Sequence, residues 1–225
     1  MTTSKIPVKM LNPEGTGIIT NILKVAAGSN HTVLLSEDGK IYSAGYNGYG
    51  ALAIGNTTNK SLVVAAKDSS KAQITDAVDI IAKHHSTTIL RKDGSIYTAG
   101  YNGYGQAANK TTTANKVFTK MLGEYGEGDF TNALLAANTN NSVAVADNIG
   151  RVYTAGYNAY GQLGDKSLKN ANYLVGISHT SLEVKEAIIT LDGIGAQKQI
   201  EAKVNLGFNI LYNNLETETY TYKVL

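Results

Sequence analysis

Four histidines, His31, His84, His85 and His179, are the side chains of this sequence best suited to proton transfer or metal binding. His31 and His85 occupy equivalent places in two copies of a repeated segment, but the third copy has Asn141 there, so symmetry offers no ring of imidazoles. The expectation is that His31 and His85 hydrogen-bond backbone groups between strands, as buried polar side chains must. His84 reads as a loop residue, and His179 has no evident acidic or cysteine partner. Asp38, Asp93 and Asp147 recur near hairpin turns. Acid–base work by paired carboxylates needs them about 5–10 Å apart, and turn aspartates one repeat apart are expected to be solvated instead. Cysteine is absent, which excludes disulfides, thiolate metal sites and a cysteine nucleophile. No calcium loop of the Asp-x-Asp-x-Asp-Gly kind occurs. The Gly-rich strings at Gly45–Gly50 and Gly100–Gly105 lack the Lys-Ser/Thr ending of a phosphate loop, and they recur, whereas a nucleotide fingerprint normally appears once. No catalytic residue, metal or cofactor is therefore expected, and the chain reads as a non-enzyme.

Tyrosine is the residue left to explain. Ala-Gly-Tyr-Asn-Gly-Tyr-Gly occurs at Ala44–Gly50 and Ala99–Gly105, and at Ala155–Gly161 with Ala159 in place of a glycine. Nine of the 14 tyrosines lie in or just before these strings, at Tyr42, Tyr46 and Tyr49 and their counterparts. Their spacing of four then three would suit one face of a helix, but each intervening glycine costs about 1 kcal/mol in a helix interior. A strand running into a Gly-rich turn fits better. Two uses remain open. The rings fill space between modules, with hydroxyls reaching a partner or water; or Tyr46, Tyr49, Tyr101, Tyr104, Tyr157 and Tyr160 form an exposed strip for a ligand or partner. Gly45, Asn47 and Gly50, repeated as Gly100, Asn102 and Gly105 and as Gly156, Asn158 and Gly161, read as structural positions, with Asn bonding local backbone in the turn.

The elements that carry these strings are short strands. Thr32–Tyr42 and Ser86–Tyr97 each place Asp-Gly between two β-prone runs, a hairpin signal. In Ser142–Tyr153 Asn148 and Gly150 are expected to supply the turn with one extra residue, accounting for a spacing of 55 then 56. Upstream, Val25–Gly28, Ile80–Ala82 and Leu135–Ala137 suit strands buried close to their neighbours. Leu11–Gly17 is echoed by Leu122–Gly128. One unit thus holds about four short strands, as a propeller blade does.

Taken together, Ala26-Ala-Gly-Ser-Asn-His31-Thr32, Asp38-Gly39, Ala44-Gly45 and Gly45-Tyr-Asn47, with Gly161-Gln-Leu-Gly164 in the last copy, resemble the repeat of the regulator of chromosome condensation family over about residues 1–175. The elements stand in the family's order and recur three times. Alanine at Ala44, Ala99 and Ala155 replaces the tryptophan common in the family, and His-Thr decays to His85-Ser86 and Asn141-Ser142. These drifted copies are more similar to repeats of large bacterial surface proteins than to the nuclear founder, and no residue supports carrying over nucleotide exchange. The resemblance implies a seven-bladed ring, which at this period needs about 400 residues. The chain has 225.

The expected organisation is all-β. Residues 1–177 form a partial propeller of about three blades, not a closed ring, made of a half repeat at 1–36, repeats at 37–91 and 92–146, and a half repeat at 147–177. An open arc exposes strand edges and favours self-association. Residues 178–225 look like the start of a bacterial immunoglobulin-like β-sandwich, with strands at Leu182–Val184, Ala187–Leu191, Gln199–Val204 and Thr219–Val224. Lys and Arg (20) nearly balance Asp and Glu (18) and are interspersed, so no nucleic-acid stripe or polybasic anchor is expected. The N-terminus is not a signal peptide and no apolar run reaches membrane-spanning length. The expected role is a binding or spacing module of a larger bacterial surface or secreted protein, with cytoplasmic placement as the alternative location. Its partner is expected to be a protein. The rival roles are an enzyme inhibitor using a Tyr-rich face, as the resemblance to bacterial propellers that inhibit β-lactamases implies, and a glycan-binding module.

Overall fold

The computed structural model describes residues 5–177 and two further strands, Thr180–Glu183 and Lys203–Leu206. The chain divides into two compact units, Met1–Ile177 and Ser178–Leu225. Every element of the first unit is a strand. β1 (Ile22–Ala27), β2 (His31–Ser36), β3 (Ile41–Gly45) and β4 (Lys60–Ala65) form one antiparallel sheet in chain order. β5 (Ala77–Lys83), β6 (Ser86–Arg91), β7 (Ile96–Gly100) and β8 (Asn115–Lys120) form the second. β9 (Ala133–Asn138), β10 (Ser142–Asp147), β11 (Val152–Gly156) and β12 (Ala171–Gly176) form the third. The middle sheet touches both others through β5, and the unit is an open arc of three propeller blades. In the second unit β13 (Thr180–Glu183) pairs antiparallel with β14 (Lys203–Leu206). The strands expected at Ala187–Leu191 and Thr219–Val224, and with them the immunoglobulin-like reading, lie outside the described residues, as does His179.

Each blade turns between its second and third strands on a glycine in the left-handed region: Gly39, Gly94 and Gly150 at φ 76°, 77° and 83°. All three turns have the same length, closed by Ser36 N–H to Lys40 O, Arg91 N–H to Ser95 O and Asp147 N–H to Arg151 O. The extra residue expected in the third hairpin is therefore not there. It lies between blades: the connection 66–76 after β4 is one residue shorter than 121–132 after β8. Asp147 consequently matches Ser36 and Arg91, not Asp38 and Asp93. The repeat boundaries drawn after residues 36, 91 and 146 fall in the middle of each sheet, so each blade takes two strands from either side of a boundary.

Neighbouring blades share two apolar cores. Val33, Leu35 and Ile41 of the first blade pack with Ile80, Ile89 and Phe118 of the second. Ile96 and Met121 of the second pack with Val143, Val145 and Leu174 of the third. A connection from each blade also reaches the outer strand of the next, forming parallel bridges between Asp68 and Phe118 and between Glu124 and Leu174. Phe118 N–H donates to Lys67 O and Tyr125 N–H to Leu174 O, both at 2.9 Å. The alanine-rich first strands differ from expectation. Ile80 in β5 is buried, but Val25 in β1 and Leu135 in β9 are exposed, because only the middle blade has a blade on each side.

Candidate functional site

All six tyrosines of the expected strip stand at one end of the sheets, where each third strand runs out into a long connection. Gly45, Gly100 and Gly156 close those strands at φ 110°, 100° and 110°. A Cβ there would sit 2.2–2.5 Å from the carbonyl oxygen of Asn30, His85 or Asn141, so only glycine admits the approach. The next residue then bonds that same carbonyl: Tyr46 N–H to Asn30 O, Tyr101 N–H to His85 O and Tyr157 N–H to Asn141 O, at 2.8–2.9 Å.

Asn47, Asn102 and Asn158 follow, each fully buried. Asn102 Nδ2 donates to Thr111 O (3.0 Å) and Thr113 O (3.2 Å), and its Oδ1 accepts from Ala107 N–H (2.8 Å). Asn47 makes the same set with Asn56 O, Thr58 O and Leu52 N–H. Asn158 keeps two of the three, to Ser167 O and from Leu163 N–H, and donates also to Asp165 Oδ1. One amide thus ties the start of each loop to its far limb and fixes where the rings project.

Gly50 and Gly105 let the loop lie on the next blade. At Gly50 (φ 87°) a Cβ would be 2.7 Å from both Asn115 O and Lys116 Cα of β8. At Gly161 (φ 76°) the nearest atom would be Leu168 Cδ2 at 3.6 Å. Gly50→Ala is therefore expected to cost about 2–4 kcal/mol, from left-handed strain plus displaced backbone, and Gly161→Ala only about 1 kcal/mol. Urea unfolding of the full chain measures both; equal costs would show that the loop is not seated through Gly50.

The rings form an unbroken line across the three blades. Centroid separations run 6.3 Å (Tyr46–Tyr49), 5.2 Å (Tyr49–Tyr101), 6.1 Å (Tyr101–Tyr104), 4.9 Å (Tyr104–Tyr157) and 6.2 Å (Tyr157–Tyr160). Interplanar angles of 61–75° make every step edge-to-face. Tyr46, Tyr49 and Tyr160 are 37%, 39% and 86% exposed, and Tyr101, Tyr104 and Tyr157 are half-buried. Tyr46 and Tyr101 fold their hydroxyls over Gly48 and Gly103, where a Cβ would lie 2.1 and 2.3 Å from the oxygen. The third loop has Ala159 at that place. Packing between blades describes instead Tyr153, which is 6% exposed and meets Phe130 edge-on at 5.2 Å.

Two histidines join the line, which the repeat pattern did not foretell. The expected equivalence of His31 and His85 does not hold, because His31, Ser86 and Ser142 stand opposite Gly45, Gly100 and Gly156, so that His85 matches Asn30 and Asn141. His84 and His85 form the tight turn between Lys83 and Ser86, with His84 at φ 49°. His85 lies 5.3 Å from Tyr46 and 5.1 Å from Tyr49, and 4.0 Å from His84, ring to ring. Its Nδ1 is buried without a hydrogen-bond partner, so the expected backbone bond is not made there. His31 does bond across blades, but to a hydroxyl: Nε2 is 3.0 Å from Thr87 Oγ1. Thr87 gives its own proton to Ala51 O at 2.8 Å. Its oxygen must then accept, which places the His31 proton on Nε2.

Burial pushes His31 down to about 4, and His85 adds to the effect. His85 is also lowered, by burial and then by His84. Unfolded His31 takes its proton near 6.5 and folded His31 near 4, so between those values the unfolded chain binds more protons. Stability is expected to fall as pH drops through this window, by about 3 kcal/mol from His31. Urea midpoints at several pH values check this, and His31→Gln should flatten the profile above pH 4. The carboxylates act lower: Asp38, held by Lys40 and Ser36, is lowered to about 2.

The turn aspartates do not converge. Asp38 pairs with Lys40 at 2.6 Å, Asp93 accepts from Ser95, and Asp147 is buried against Arg151 at 2.8 Å. Burial raises Asp147, but the bonds from Arg151 outweigh it and hold it low. Among the described residues no group of three His, Cys, Asp or Glu is placed to hold a metal ion.

The regulator of chromosome condensation (RCC1) repeat family matches residues 22–51. The chain is 29% identical over 152 residues to a protein called "Probable E3 ubiquitin-protein ligase HERC4" of Homo sapiens, spanning 66% of the chain and 13% of that relative. It is 29% identical over 161 residues to the ultraviolet-B receptor UVR8 of Arabidopsis thaliana, spanning 72% of the chain and 34% of the receptor. Among solved structures, human WBSCR16 superposes with a TM-score of 0.58 at 23% identity, over 69% of this chain and 37% of that one. Yeast RCC1 (Prp20), solved bound to Kap60, gives 0.58 at 18% identity, over 74% and 38%. The matches support an RCC1-type repeat at residues 22–51 and a propeller-type fold, and the chain spans 13–38% of the proteins named.

Proposed function

We propose that the first unit is a non-enzymatic binding module that docks a protein partner on its tyrosine strip. The observation that carries this is the continuity of the line: six rings from three blades, each in edge contact with the next, at an end of the sheets left open to solvent. Tyrosine anchors interfaces because it brings large apolar area and a hydroxyl at low entropic cost. One solved propeller points the same way: yeast RCC1 (Prp20) was crystallised bound to Kap60 and characterised for binding to Gsp1p and histones. The isolated turn carboxylates support a role without catalysis.

Selection of a displayed random-peptide library on the full chain tests the reading. Enriched peptides should lose binding to a variant carrying Tyr49→Ser, Tyr101→Ser and Tyr104→Ser. Peptides that bind both proteins equally place the docking surface elsewhere. A glycan array that lights up while the peptide selection stays flat replaces the protein partner with a sugar. Placement in a larger bacterial surface or secreted protein belongs to the same proposal, supported by the drifted repeats and the lack of cysteine. Antibody labelling of intact against permeabilised source cells checks it.

A further inference from the structure

The two ends of the first unit differ in charge. The strip end holds the connections 28–30, 46–59, 84–85, 101–114, 139–141 and 157–170, in which Asp165 is the sole carboxylate. The opposite end holds 37–40, 66–76, 92–95, 121–132 and 148–151, with eight carboxylates from Glu37 to Asp129. Of the seven Lys and Arg at or next to those connections, Lys40, Arg91, Lys120 and Arg151 are in ion pairs and, among the described residues, Lys67, Lys71 and Lys92 are not, against eight carboxylates.

At the strip end five of six lysines stand, among the described residues, without a carboxylate partner. Lys60 lies opposite Gly45 in the β3–β4 ladder, one residue from Tyr46. Lys83 flanks the His84–His85 turn. The Cα of Lys116 lies where the loop after Tyr49 touches β8, at Gly50. Lys166 and Lys169 sit in the loop that carries Tyr157 and Tyr160. Among the described residues none of these five makes an ion pair, whereas Lys110 is held at 3.1 Å by Glu127, the one carboxylate of the connection 121–132 that reaches over to a strip-end lysine. Asp165 is engaged by Asn158 Nδ2 and by Ser167 N–H and Oγ.

From this asymmetry, and resting on the strip being a protein-docking surface, we infer that the partner face it receives is acidic: Glu and Asp set around apolar anchors. Uncompensated lysines beside an apolar line attract such a face and repel a basic one. A single nucleic-acid strand is the other polyanion, but it stacks bases on a succession of open ring faces. Here every ring turns an edge into its neighbour at 61–75°, which suits side chains lodging between ridges.

The test uses three fluorescent peptides of equal length with the same leucine and phenylalanine positions, differing only in carrying Glu, Lys or Ser between them, and an oligothymidylate of about 20 nucleotides. With the full chain, the Glu peptide should bind at least about tenfold tighter than the Ser peptide and the Lys peptide weakest. Raising NaCl from about 50 to about 300 mM should weaken the Glu peptide at least about fivefold. The combined Lys60→Glu, Lys116→Glu, Lys169→Glu variant should reverse the order of the Glu and Lys peptides. Equal binding of all three, preference for the Lys peptide, or no binding of the Glu peptide overturns the inference. So does oligothymidylate binding at least as tightly as the Glu peptide. The triple tyrosine variant separates the two readings. If equal peptide binding is lost in it, the strip stands and the charge inference falls; if charge-dependent binding survives in it, the strip reading falls.

Discussion

Asn102→Ala is expected to lower the unfolding free energy by about 3 kcal/mol, the largest stability effect of any polar substitution in the first unit. The amide is fully buried and joins Ala107 N–H, Thr111 O and Thr113 O. Alanine removes the partner of each while leaving the groups in place, and a buried group without a partner costs about 1–3 kcal/mol. The loss does not stay local, because the loop continues through fully buried Ala108, whose carbonyl accepts from Leu122 N–H, to Lys110, whose N–H donates to Asn172 O of the third blade. Asn148→Ala, in an exposed turn, is expected to stay within about 0.5 kcal/mol. Urea unfolding of the full chain compares them; costs of similar size would mean the buried amide does not organise the loop.

Replacing Tyr49, Tyr101 and Tyr104 together by serine should weaken a strip-selected peptide at least about 100-fold, since central aromatic anchors dominate interface energetics. These rings occupy the middle of the line, where Tyr101 touches both Tyr49 and Tyr104. Their effects are coupled through shared contacts, so single replacements should not sum to the triple. Fluorescence anisotropy reads the affinity. A retained cooperative unfolding transition shows that the fold survives, and Tyr160→Ser, at the 86% exposed end of the line, should change affinity less than about threefold. A Tyr160 effect as large as the triple would move the anchor to the third blade.

The blades were legible because Asp-Gly and Ala-Gly mark strand ends at a fixed period, and glycine is demanded there by positive φ. The tyrosine line was legible as a possibility for the same reason: identical loops on stacked sheets must project identical side chains in a row. What the sequence left hidden depends on contacts between blades. His85 meets Tyr49 across 36 residues of chain, and the other two first-hairpin turns hold Ser29-Asn30 and Asn140-Asn141, so the pattern gave no warning. Burial of the alanine-rich strands depends on having a neighbour on both sides, a property of position in the arc. The displaced extra residue misled because Asn148-Ile149-Gly150 looks longer than Asp-Gly, while the hydrogen bonds show three turns of one length.

The clasp between blades has an evolutionary corollary. Each module extends its own connection onto the outer strand of the module after it, as Asp68 does to Phe118 and Glu124 to Leu174. Joint and display surface are thus encoded in one stretch of about 55 residues, the natural size for tandem duplication in such arrays. Copying that stretch would insert two more tyrosines in register without redesigning any seam, so the reach of the contact track scales with gene length and partner size can be tracked by counting modules.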